Sequence, residues 1–151
     1  MKEHESKVGF VLLKIVTEQF AIVDEAHEEG KEATINTQVQ FAANAEQKML
    51  GAKVAFRFVQ TKVPFLIIEA SCHFRITDEA WDKFSQKEEG KLIVPAGFMA
   101  HLAMLTVGTA RGILHAKTET TKFSQYIVPT INVAVMIKED IIFDLNKLPV
   151  L

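Results

Sequence analysis

The chain is predicted to be an α+β domain, with a four-stranded antiparallel sheet followed by a long helix, an extended crossover segment and a short helix. Three observations predict it. Through the first half, β-branched and aromatic residues recur with a period of two. The links between those runs are too short for the crossover of a dozen or more residues that a parallel return needs. Beyond Thr77 the apolar period becomes that of a helix.

Phe10–Val23 is a long β-branched run and forms the first strand. Ile35, Val39, Phe41 and Ala43 alternate with Asn36, Gln38, Gln40 and Ala42, as in a half-buried second strand. Val54, Phe56 and Phe58 alternate with Lys53, Ala55 and Arg57 in the third. Phe65–Ile76 sets Leu66, Ile68, Ala70, Cys72, Phe74 and Ile76 against Glu69, Ser71, His73 and Arg75. Asp24–Lys31, Asn44–Lys48 and Thr61–Pro64 connect the four. Thr77 then caps a short helix, Asp78–Phe84, whose acidic first turn suits the positive end of the helix dipole.

After a polar loop, Ser85–Lys91, Pro95 opens a long helix from about Ala96 to Lys117. One apolar stripe is Phe98, Leu102, Leu105, Thr109 and Ile113; a neighbouring one is Met99, Ala103, Ala110 and Leu114. Asn132 is expected to cap a last helix, Val133 to about Asp140, ahead of an irregular tail, Ile141–Leu151. No linker or repeat divides the chain, so residues 1–151 read as a single domain.

With 151 residues, 48% of them apolar, the chain is long enough for one substantial core. Its 17 basic and 19 acidic residues are scattered, so no basic footprint for nucleic acid exists. One cysteine rules out an internal disulfide and agrees with a reducing compartment. Met1–Lys7 is too acidic for a signal peptide. Leu92–Ala110 carries no Asp, Glu, Lys or Arg, but Pro95, Gly97, His101, Thr106, Gly108 and Thr109 dilute it. A buried helix, no membrane insertion and a cytoplasmic location are expected.

Familiar catalytic and metal patterns are missing. Cys72 and His73 are adjacent on a strand, so their side chains leave opposite faces. His101 and His115 share a helical face but lie about 21 Å apart. HExxH, GxSxG and phosphate-cradling loops are absent. Neither catalytic residues nor a metal or cofactor are expected. Gly108 and Gly112 permit close approach to the helix, which suggests a subunit contact there, with Arg111 between them. Eleven phenylalanines exceed what one sheet face accounts for; Phe65 is out of phase with Phe74 on its own strand.

Ala110-Arg111 in the helix, then Phe123-x-Gln125 and Pro129-x-Ile131-Asn132-Val133, set after the strands in this order, resemble the SecB family of export chaperones. The resemblance implies a non-catalytic holdase without a cofactor, assembled as a homo-oligomer, dimer or tetramer, that binds unfolded polypeptide clients. It further implies that Thr118–Thr130 lies over an apolar groove, with Phe123, Tyr126, Ile127 and Val128 presented from above. Phe41, Phe56 and Phe58 would form its floor, and Gly108, Arg111 and Gly112 the oligomer interface. The family's acidic character and polar tail for the translocation motor are missing here, since the net charge is −2 and the chain ends Leu148-Pro-Val-Leu151. Two alternatives stand beside it: a hot-dog-type acyl-CoA thioesterase using His101 or His115, and an oligomeric protein of SecB fold with an unrelated binding role.

Overall fold

The structure, a computed structural model, describes residues 9–147. Strands β1 (Phe10–Ile22), β2 (Thr34–Asn44), β3 (Met49–Val59) and β4 (Pro64–Ile76) form one antiparallel sheet in the order β1-β4-β3-β2. The edges are therefore β1 and β2. Register follows the alternation of the sequence, with Phe56 opposite Ile68 and Phe58 opposite Leu66. Val54, Phe56, Phe58, Leu66, Ile68 and Ala70 thus share an inner face and are buried. On the outer face Glu69 meets Lys53 at 3.5 Å and Arg57 at 3.3 Å. Cys72 is buried inside, and His73 stands half-exposed on the other face.

Helix α1 (Asp78–Phe84) is capped as expected, the Thr77 hydroxyl accepting from the Ala80 amide at 3.3 Å. Beyond α1 the chain is more ordered than the expected polar loop and irregular tail. Ser85–Gln86 (β5) and Lys91–Val94 (β6) are strands, and Ile141–Asp144 (β7) pairs antiparallel with β6 to make a second, three-stranded sheet. The tail is thus a strand over Ile141–Asp144, while Leu148–Leu151 lies outside the described residues, as does the Met1–Lys7 stretch. Trp81, Phe84, Leu92 and Phe74 join Met99 and Leu102 in a second core cluster beside this sheet.

Helix α2 (Ala96–Thr118) packs over β3 and β4. Its buried residues include all of the second stripe in the sequence, Met99, Ala103, Ala110 and Leu114, together with Leu102 of the first stripe and Thr106 and Thr118. Leu105, from the first stripe, is 40% exposed. The buried hydroxyls of Thr106 and Thr118 donate to the carbonyls of Leu102 and Leu114, both at 2.8 Å, so neither is left unpaired. Asp140 accepts from the first helical amide, Ala96, at 2.9 Å. By length and composition α2 is able to span a bilayer, but here its apolar stripe lies against the sheet. The last helix, α3 (Val133–Met136), is one turn long and ends well before Asp140.

Candidate functional site

The crossover from Thr118 to Thr130 is closed down onto the sheet. Thr121 caps a 3₁₀ turn, Lys122–Gln125, which drives the Phe123 ring into the core. Phe123 lies 6.2 Å from Phe65 and 4.9 Å from His27, between ring centres. Tyr126 packs on Phe65 at 4.9 Å and on Phe58 at 5.8 Å. Polar ties hold the segment from three sides. Lys122 meets Asp24 at 2.8 Å, and His27 Nε2 lies 2.9 Å from the Tyr126 hydroxyl. From α2, Arg111 donates through Nε to the Val128 carbonyl at 2.7 Å and through Nη2 to the Pro129 carbonyl at 2.8 Å.

Two expectations are corrected by this geometry. Phe56, Phe58, Phe123 and Val128 are at most 4% exposed, so they are core residues and not the walls of an open groove. Phe41 and Tyr126 are half-buried against the same core, and of the seven expected client-binding residues only Ile127, at 56%, stands free. The out-of-phase Phe65 is explained as well: it sits in the ring cluster of His27, Phe123 and Tyr126 at the end of the sheet. Arg111, expected at a subunit contact, donates two hydrogen bonds to its own chain's carbonyls. Gly108 and Gly112 are exposed, and a Cβ at either would meet no heavy atom within 4 Å.

Exposed apolar side chains lie elsewhere. Beside the crossover, between α2 and the segment Thr130–Ala134, runs an open groove of about 630 Å³. Gly97, Ala100, His101 and Met104 form one wall, Ile131, Asn132 and Val133 the other. Met104 is 55% exposed; further along the same segment Val135 is 57% and Met136 48% exposed. Methionine adapts its shape to varied partners, and two of these side chains are methionines. His101 also touches the Phe10 ring at 5.7 Å, and among the described residues no hydrogen bond or ion pair joins it to an acid. A second apolar surface is β1 itself, with Val11, Leu12, Leu13 and Ile15 all exposed.

A hollow of about 260 Å³ on the sheet is lined by the polar Glu18, Gln40, Lys53, Ser71 and His73 together with Phe41, Ala42, Gly51 and Ala52. Ser71 donates to Glu18 at 2.6 Å, and its oxygen lies 3.3 Å from His73 Nε2. Because its proton is directed to the carboxylate, this serine is not set up as a nucleophile for the imidazole. Burial, and then Lys14, hold the His73 pKa below its ordinary value. At the crossover, Asp24 is held below the usual carboxylate range by the hydrogen bond and charge of Lys122, and burial followed by Glu29 raises Tyr126. Among the described residues no group of three or more His, Cys, Asp or Glu is placed to hold a metal ion.

No family model matches the chain, and no curated protein matches it significantly. Among solved structures it is similar to a protein of unknown function from Streptococcus agalactiae, at 16% identity over 77% of this chain and 95% of that one. The TM-score is 0.31, too low to bear on function.

Proposed function

We propose that the protein is a non-catalytic, SecB-like holdase that binds extended polypeptide in the open groove beside the crossover. The observation that carries the reading is the groove between α2 and Thr130–Ala134, continued by exposed Val135 and Met136. Apolar burial is non-directional and stabilises by about 25 cal/mol per Å², which suits clients without a fixed sequence. The closed crossover contributes a rigid wall: Arg111 and Phe123 fix where the segment leaves the core, and so fix the groove's far side.

Aggregation of a chemically denatured client, followed by light scattering at substoichiometric protein, tests the reading. Protection is expected, and it should fall several-fold on Met104→Lys with Met136→Lys while the melting temperature stays unchanged. Absence of protection by the parent chain rejects the holdase. Hydrolysis across a panel of acyl-CoA esters, abolished by His101→Ala, would favour the thioesterase instead.

A further inference from the structure

We propose that Met104 and Met136 make the groove a peroxide-sensitive site: oxidation of their thioethers to sulfoxides releases the client, and reduction restores binding. The proposal rests on the holdase reading and adds its regulation. The chain has five methionines, of which four lie among the described residues. Met99 is fully buried in the core and Met49 is half-buried on the sheet. Met104 and Met136 are 55% and 48% exposed. Met104 lines the groove, and Met136 lies three residues beyond Val133 of the opposite wall. The two most exposed methionines among the described residues are thus the two at the groove. The single thiol is no competing target, since Cys72 is buried. Oxidant in solution reaches exposed sulfur first, so it is directed to the groove.

The α2 wall is where the change of polarity matters most. Its groove-lining residues are Gly97, Ala100, His101 and Met104. Glycine offers no side chain, alanine a single methyl and histidine a polar ring, so Met104 supplies most of the apolar surface that a client meets on this side. An unbranched, polarisable thioether moulds to clients of differing shape. The sulfoxide keeps that length but carries a strongly accepting oxygen. Covering this oxygen with an apolar client side chain removes its water and gives no donor in return, which opposes binding. In the oxidation the sulfur lone pair attacks hydrogen peroxide. The O–O bond breaks, an S–O bond forms and water leaves, sulfur losing two electrons and the peroxide gaining them. A thiol-dependent sulfoxide reductase undoes the step: two thiols supply two electrons and two protons, giving the thioether, water and a disulfide. Met99, shielded in the core, takes no part, so the fold itself is spared.

Peptide mass spectrometry of the full chain treated with hydrogen peroxide measures the selectivity. Met104 and Met136 should gain oxygen at least about tenfold faster than Met99, which lies on the same helix as Met104. Protection of a denatured client by the oxidised protein should fall at least about threefold in light scattering and return after treatment with methionine sulfoxide reductase. The melting temperature should stay unchanged throughout. In Met104→Leu with Met136→Leu, the ratio of protection after peroxide to protection before it should be close to one, although the remaining methionines are in place. An oxidised parent chain that protects as well as the reduced form overturns the proposal and leaves the holdase standing. So does Met99 oxidising as fast as Met104, or a loss of protection that the leucine variant shows in full. A reduced parent chain without protection removes the holdase and this regulation together.

Discussion

The crossover and strand β1 exchange the roles their sequences suggest. Thr118–Thr130 has threonines and no regular period, which suits a loose cover, yet it carries Phe123 at 4% exposure and is tied by Asp24, His27 and Arg111. β1 is β-branched and apolar, as a core strand would be, yet Val11, Leu12, Leu13 and Ile15 in its first half lie exposed. The difference teaches that apolar content does not decide burial; what lies opposite does. The crossover meets a ring cluster at the sheet end, whereas α2 lies chiefly over β3 and β4 and meets β1 near its two ends, at Phe10 and Phe20.

Substitutions on the two regions should therefore diverge. Phe123→Ala removes a ring packed on Phe65 and His27 and should cost about 3–5 kcal/mol in chemical denaturation. Arg111→Met strips two carbonyls of their donor and should cost about 2–3 kcal/mol, less than the ring because the Pro129 bond is exposed. Tyr126→Phe removes one hydroxyl contact to His27 and should cost about 1 kcal/mol. By contrast Leu13→Ser, at a side chain 57% exposed, should change the monomer's stability by no more than about 0.5 kcal/mol. A Leu13→Ser loss comparable to Phe123→Ala would erase the distinction between the regions.

The smallest effect concerns pH on the outer face of the sheet. His73 has a depressed pKa in the fold, so between that value and its ordinary one, about 6.5, the unfolded chain binds more protons. Its contribution to stability is complete above that ordinary value and is lost as pH falls below it. His73→Gln should flatten the melting-temperature profile between about pH 7 and 5. Asp24, also depressed, acts in the same direction lower down, near and below the ordinary carboxylate value.

Much of the fold was legible because long elements declare their period. The four strands and α2 each run for many residues, and their observed bounds lie close to those read from alternation. Strands β5, β6 and β7 were not legible, since two to four residues carry no period and β7 meets β6 from far along the chain. The stripe of α2 that meets the sheet was ambiguous, because both candidates are apolar and only the placement of α2 over β3 and β4 exposes Leu105. The site was less legible still. His27 meets Tyr126 across a separation of 99 residues, and nothing local announces it. Arg111 did leave a signal: it is the first charge after the uncharged stretch Leu92–Ala110, and such a cation in a packed helix needs acceptors.

Amide hydrogen exchange tests the contrast most directly. The amides of Phe123, Ser124 and Tyr126, each hydrogen-bonded within the crossover, should be protected, whereas the β1 amides on the free edge of the sheet should exchange rapidly. Rapid exchange at those three crossover amides, with the free-edge amides of β1 protected, would contradict both halves of the contrast.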